Sequence, residues 1–392
     1  MTQSNPPRTR EVSRRTALKA GALGAAGAAV APRAARAQTP AATPESTSEQ
    51  QQEPGREMEN GGMLTDVPSF LVGNATLDEA VTGCTVILCP KETTGGVEIR
   101  GGWTGTREMD ILSPFSASPF VHALLFTGGS TFGLAAADGV MRWFDERWAA
   151  DGTGSPLGPV PQVPAAVVYD LAVGAPLPRP GPDDGFRACE AATTNFGRGS
   201  VGAGTGARVG ADVPGSERMK GGLGSASRRF GGSVVVGALA VVNSLGNVLD
   251  RDGRIIAGAC FPDGRHADAV DDLTSNPEAA TARPRRSSFT TLVAVATNAA
   301  LTKTQCSIVA RMATAGLARA VHPCFTASDG DVVVALAGGG EEASTDAVGI
   351  IAAATVADAI RDAVRRAESR DGIADLRTPG ARSAADPAWS AE

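Results

Sequence analysis

The chain has 392 residues, 42% of them hydrophobic but only 4% aromatic, with 48 glycines and a formal net charge of −6. Seven of its 36 Lys/Arg but only one of its 42 Asp/Glu lie in residues 1–37, so the remainder carries 29 basic and 41 acidic side chains, a net of −12. A body this acidic argues against nucleic acid or an anionic membrane as partner and leaves a small neutral or cationic ligand.

Ser13-Arg14-Arg15-Thr16-Ala17-Leu18-Lys19 is a twin-arginine pattern, followed by the small and apolar run Ala20–Ala31 and by Ala35-Arg36-Ala37 before Gln38. This is the layout of a removed export signal over residues 1–37, and the apolar run is well short of the roughly 20 residues that span a bilayer. Export by this route predicts folding in the cytosol and a mature protein that works in the periplasm or outside the cell. Residues 38–62 are rich in Gln, Pro, Thr, Ser and Glu and read as a disordered linker. A single domain is expected over 63–378, with a flexible tail over 379–392.

Within that domain strands and helices alternate. Gly83–Leu88 and Gly96–Arg100 read as paired strands, Val121–Thr127 as a strand, and Thr131–Trp148 as a helix entered through Gly128-Gly129-Ser130. Ala165–Tyr169 resumes a strand, and Ser233–Val242 with Val248 onward reads as a hairpin about Asn243–Asn247. Thr290–Thr297 and Asp331–Ala337 are further strands. Thr302-Lys303-Thr304-Gln305 has capping-box spacing before one helix, and Ser344-Thr345-Asp346 starts another with the stripe Val348, Ile351, Val356, Ile360 and Val364. Sheets packed between helical layers are the natural architecture, and the scarcity of aromatics requires close backbone packing.

Other chemistries find little support. The six cysteines include no C-x-x-C and read as buried free thiols. Only His122, His266 and His322 occur, none in a metal-binding motif, so no metal is expected. Gly202–Ala207 fits a G-x-G-x-x-A pattern and Gly221–Ser225 is glycine-rich, but neither leads into a clear helix and no G-K-[ST] is present, so no cofactor is expected. These glycines serve tight turns and close backbone approach.

Thr290-Thr291 opens an apolar strand directly after a long, polar, Arg-rich stretch. The pair is ordinary for a strand start on β-propensity alone. It is also where a self-cleaving hydrolase would create a new N-terminus, because a terminal threonine carries its own base in the α-amine beside its Oγ1.

The ordered set Thr82–Val86, Arg100-Gly101-Gly102, Gly105–Glu108, Thr127–Leu134, Gly202–Gly206, Lys220–Ser227, Thr290-Thr291 and Asp329-Gly330-Asp331 resembles the self-processing aminopeptidases and 6-aminohexanoate-oligomer (nylon-oligomer) hydrolases of the DmpA and NylC type. The resemblance covers about residues 64–370. It implies a four-layer α/β/β/α sandwich like that of N-terminal-nucleophile hydrolases, with distinct connectivity, and a precursor cut between Phe289 and Thr290 into chains 38–289 and 290–392. It implies amide hydrolysis through an acyl-enzyme on Thr290, acting on short peptides or ω-amino-acid oligomers, in a homo-oligomer, a tetramer of cleaved units. By the same resemblance Asp329 and Asp331 flank the nucleophile, and the charge of Lys220 lies near Thr290 and these aspartates. Asn243 stabilises the oxyanion and Tyr169 lines the substrate pocket. Locally, Asp329-Gly330 and Asn243 are equally good turn residues. Relatives commonly have Asn or Gly where this chain has Phe289. Asp-Gly-Asp points to the nylon-oligomer branch. An uncleaved secreted binding protein of the same fold and acyl transfer to an amine are the other readings.

Overall fold

The computed structural model describes residues 62–150, 159–175, 177–278 and 289–378. The export signal, nearly all of the linker, the Arg-rich stretch before Phe289 and the C-terminal tail lie outside the described residues. Along the chain run β1 (Leu71–Leu77), β2 (Thr82–Leu88), β3 (Thr94–Ile99), β4 (Thr106–Arg107), β5 (Ala123–Thr127), α1 (Ala136–Ala150), β6 (Ala165–Val167) and α2 (Pro182–Glu190). Then come β7 (Arg208–Val209), β8 (Glu217–Lys220), β9 (Gly222–Phe230), β10 (Val234–Asn243), β11 (Asn247–Leu249), β12 (Ile255–Ala257), β13 (Ala259–Cys260) and α3 (Ala269–Ser275). The last part holds β14 (Thr290–Ala299), α4 (Lys303–Ala320), β15 (Val321–His322), β16 (Val332–Glu341) and α5 (Thr345–Arg366).

Two five-stranded sheets, in the orders β1-β2-β5-β6-β4 and β3-β16-β14-β10-β9, form the middle of the molecule. Strand periodicity divides their side chains between two cores. On β14, Leu292, Ala294 and Ala296 join Ile87, Leu124 and Phe126 of the first sheet in the layer between the sheets. The alternate residues Val293 and Val295 pack with Val309 and Leu317 of α4 and Val356 and Ile360 of α5. A third core puts Val86 and Leu125 against Ala136 and Val140 of α1 and Ala188 of α2. Three cores between four layers give the α/β/β/α sandwich.

Glycine and alanine make these layers thin. A Cβ on Gly316 of α4 would lie 2.0 Å from the Ala353 carbonyl oxygen of α5, and one on Gly224 of β9 would lie 2.1 Å from that of Ala359. Helix meets helix and helix meets sheet at backbone distance, which is how an aromatic-poor chain fills its interior.

Both C-terminal helices start as their sequences predict. Thr302 Oγ1 accepts the Gln305 N–H while Gln305 Oε1 accepts that of Thr302, and Ser344 Oγ accepts the Ala347 N–H. Two pairings differ from expectation. β2 and β3 do not pair with each other: β2 lies between β1 and β5 in one sheet, and β3 is antiparallel to β16 in the other. β10 and β11 form no hairpin, because β10 lies between β9 and β14 while β11 pairs with β12 and β15. β2 and β10 are each already paired on both edges, by β1 and β5 and by β9 and β14, so no edge is left for the strand that follows. All six cysteines are free thiols, with Cys84, Cys189 and Cys306 buried.

Candidate active site

The edge of the inter-sheet layer is where the candidate residues meet. β10 and β14 are antiparallel with Asn243 opposite Thr290, and β14 and β16 are parallel with Leu292 opposite Val332. This register brings the start of β14 between the end of β10 and the Asp329-Gly330-Asp331 turn that leads into β16. Thr290, Asn243, Asp329 and Asp331 are all 3% exposed or less.

The peptide bond before Thr290 is held from several sides. Thr290 Oγ1 donates to the Phe289 carbonyl oxygen at 2.6 Å, and the Gly330 N–H donates to that same oxygen at 2.7 Å. The next N–H, of Thr291, donates to Asp331 Oδ1 at 2.6 Å. Gly330 sits so close that a Cβ on it would lie 2.7 Å from Thr290 Oγ1 and 2.8 Å from the Trp103 carbonyl oxygen. The segment Arg100–Trp103 is tied to the same turn, the N–H groups of Arg100 and Gly101 donating to the Asp331 carbonyl and that of Trp103 to the Asp329 carbonyl. A hydroxyl beside a carbonyl whose oxygen carries a backbone donor is an arrangement for acyl transfer from nitrogen to oxygen.

The two aspartates are unequal. Asp329 Oδ2 accepts from the Thr326 N–H and hydroxyl, while Asp331 accepts from the Thr291 and Phe325 N–H groups. Burial first, and Asp329 next, push the Asp331 carboxyl up to about 7, and burial also raises Asp329. Toward neutral pH this pair therefore still holds a proton.

A family model for peptidase family S58 matches residues 62–377. The chain belongs to peptidase family S58. An uncharacterised aminopeptidase of Mycobacterium bovis is 41% identical over 350 residues, covering 81% of this chain and 98% of that protein. A 6-aminohexanoate-oligomer endohydrolase of a Kocuria species is 30% identical over 280 residues, covering 69% and 73%. Among solved structures, a Burkholderia beta-aminopeptidase superposes with a TM-score of 0.60 at 24% identity, covering 84% of this chain and 93% of that one. An Ochrobactrum anthropi L-aminopeptidase, described as a variant of the Ntn-hydrolase fold, gives 0.59 at 22% identity, covering 81% and 88%. This S58 protein is therefore an amide hydrolase with that fold.

Within the S58 frame two expected residues sit differently from their sequence-based roles. Lys220 Nζ donates to the carbonyl oxygens of Gly204, Ala207 and Gly221 at 3.1, 2.7 and 3.2 Å, and the carboxylate that acts on it is Asp170, not Asp329 or Asp331. Burial pulls its ammonium down to about 7, yet three carbonyl acceptors are satisfied together only by the three N–H bonds of the charged form. Glycine makes this pocket possible, since a Cβ on Gly206 would come within 2.7 Å of Asp170 Cβ. Asn243 does not touch the Phe289 carbonyl: its Oδ1 accepts the Arg208 N–H at 2.9 Å and its Nδ2 donates to the Tyr169 carbonyl at 3.3 Å. Tyr169 is half-buried beside it.

Sequence reasoning missed Gly330, Asp170, Arg208 and Arg218. Gly330 alone had a signal, as the residue enclosed by Asp-Gly-Asp. The arginines are unremarkable in sequence, and only the fold aims them at one place.

The unequal aspartates carry a testable consequence. Asp331 holds a proton in the folded, uncleaved chain that the unfolded chain has already released above about pH 4, so stability falls as pH rises from about 4 to about 7. In a Thr290→Ala background, thermal unfolding across this range shows that slope, and Asp331→Asn flattens it. The slope is the readout, because Asn also loses one acceptor and lowers stability at every pH.

Proposed function

We propose that the protein is a self-processing amidohydrolase whose Thr290 cleaves the Phe289–Thr290 bond and then serves as N-terminal nucleophile. Thr290 Oγ1 adds to the Phe289 carbonyl carbon, and the oxygen that gains negative charge is the one on which the Gly330 N–H already rests. The carbon–nitrogen bond then breaks, the nitrogen takes a proton, and Phe289 is left as an ester on Oγ1. That step frees the Thr290 α-amine, and water then hydrolyses the ester, releasing the Phe289 carboxylate and restoring the Thr290 hydroxyl. That amine becomes the base for Oγ1 in each later turnover, and the neighbouring Asp329 and Asp331 carboxylates balance its charge.

The substrates are short peptides or ω-amino-acid oligomers of the 6-aminohexanoate type, in keeping with the names of the Mycobacterium and Kocuria relatives. The carrying observation is the pair of hydrogen bonds on the Phe289 carbonyl. Lys220 fixes the Gly204–Gly221 backbone around the site, Asn243 holds Arg208 and Tyr169 in place beside Thr290, and Tyr169 lines the substrate pocket. The protein is exported through its twin-arginine signal and works as an oligomer of cleaved units. Acid-quenched reactions with a slowly hydrolysed peptide anilide give a small chain heavier by the acyl group. An unmodified small chain during steady turnover would contradict the acyl-enzyme.

A further inference from the structure

Phe289 is held at every part of its structure. Its side chain belongs to a residue only 4% exposed, and the Arg218 guanidinium carbon stands 4.6 Å from its ring centroid. Its N–H donates to the Ser328 carbonyl at 3.4 Å, and its own carbonyl takes the Gly330 N–H and the Thr290 hydroxyl. Arg218 is fixed through Nη2, which donates to the carbonyls of Arg208 at 2.9 Å and Ser244 at 3.4 Å. Its buried Nε has no hydrogen-bond partner among the described residues. An arginine whose guanidinium stands over an aromatic ring in a buried pocket favours an aromatic group there.

The two reactions proposed for Thr290 pass through one kind of bond. In self-cleavage the Phe289 acyl carbon becomes esterified to Oγ1, and in amide hydrolysis the substrate acyl carbon becomes esterified to the same Oγ1 while the amine portion departs with a proton. Water then restores the hydroxyl and releases a carboxylic acid in both. An acyl group bound through that ester, with its oxygen on the Gly330 N–H, has its side chain directed where the Phe289 ring lies.

We propose that the Phe289 pocket is the acyl-group subsite of the processed enzyme, that Arg218 is its specificity-determining residue, and that amides of aromatic L-amino acids are its preferred substrates. Once cleaved, Phe289 is the C-terminal residue of the larger chain, and its withdrawal from the pocket opens the face of Arg218. The α-ammonium of an incoming phenylalanyl amide takes the place of the Phe289 N–H against the Ser328 carbonyl. This proposal rests on Thr290 as nucleophile and adds the side chain that the nucleophile serves.

The test compares kcat/KM of the processed enzyme for the p-nitroanilides of L-phenylalanine, glycine and 6-aminohexanoic acid. The phenylalanyl substrate is expected to exceed the other two by about tenfold or more, the scale of one desolvated cation–π contact with its apolar burial. Arg218→Met lowers the phenylalanine-to-glycine ratio at least about fivefold. Should that variant fail to fold or cleave, inhibition of the wild-type enzyme decides the matter: L-phenylalanine competes at least about tenfold more tightly than glycine. A processed enzyme that prefers the glycyl or 6-aminohexanoyl anilide, or that hydrolyses none of the three while turning over another amide, overturns the subsite and leaves the Thr290 mechanism standing. A chain without a free Thr290 overturns both.

Discussion

Thr290→Ala yields a single uncleaved chain with amide hydrolysis at least about a thousandfold below wild type. The substitution removes one hydroxyl whose hydrogen bond goes to the Phe289 carbonyl, and that carbonyl keeps the Gly330 N–H. No buried acceptor is orphaned, so the variant folds, and its loss of function reports chemistry. Thr290→Ser keeps a hydroxyl at the same place and still cleaves. Denaturing electrophoresis of both variants after prolonged incubation, beside an anilide assay, separates these outcomes. Cleavage of the alanine variant at the wild-type rate would show that another group breaks the chain.

Gly330→Ala produces the second large effect without removing a reactive group. The added methyl meets Thr290 Oγ1 at 2.7 Å and the Trp103 carbonyl at 2.8 Å, both closer than real carbon contacts allow. The turn must shift, and with it the N–H that rests on the Phe289 oxygen. Removing one oxyanion donor costs on the order of 10² to 10³ in rate, so self-cleavage slows by at least about a hundredfold. The variant separates mechanism from folding, because its circular dichroism and its helix-facing cores are unaffected while precursor accumulates. Rapid cleavage of this variant would mean that the Gly330 N–H carries no share of the charge.

The layered architecture was readable because its local signals agree with the fold. The box at Thr302–Gln305 and the cap at Ser344 start α4 and α5 where sequence places them. What sequence could not supply was pairing and direction. β14 is buried on both faces, so its apolar run carries no alternation to tell Leu292, which faces the other sheet, from Val293, which faces the helices. The pairings of β2 and β10 were misjudged for a related reason: each pairs on one edge with the strand before it and on the other with a strand remote in sequence, where the sequence pointed to the strand that follows.

The site divides along the same line. Thr290, Asn243, Asp329 and Asp331 are brought together by register alone, because each ends or precedes a strand of one sheet. Lys220 belongs to a different electrostatic unit, with Asp170 as its counter-charge, since glycine-lined carbonyls capture its ammonium first. Backbone donors such as the Gly330 N–H leave no mark in sequence, because every residue but proline has one.

Intact-mass measurement and N-terminal sequencing of the purified, incubated wild-type protein examine the Phe289–Thr290 bond itself. The expected result is two chains that remain associated, the smaller beginning with a free-amine Thr290 and ending at Glu392, the larger ending at a Phe289 carboxylate. A single chain running unbroken through Phe289 and Thr290, or a small chain that begins at Thr291 or elsewhere, would contradict it.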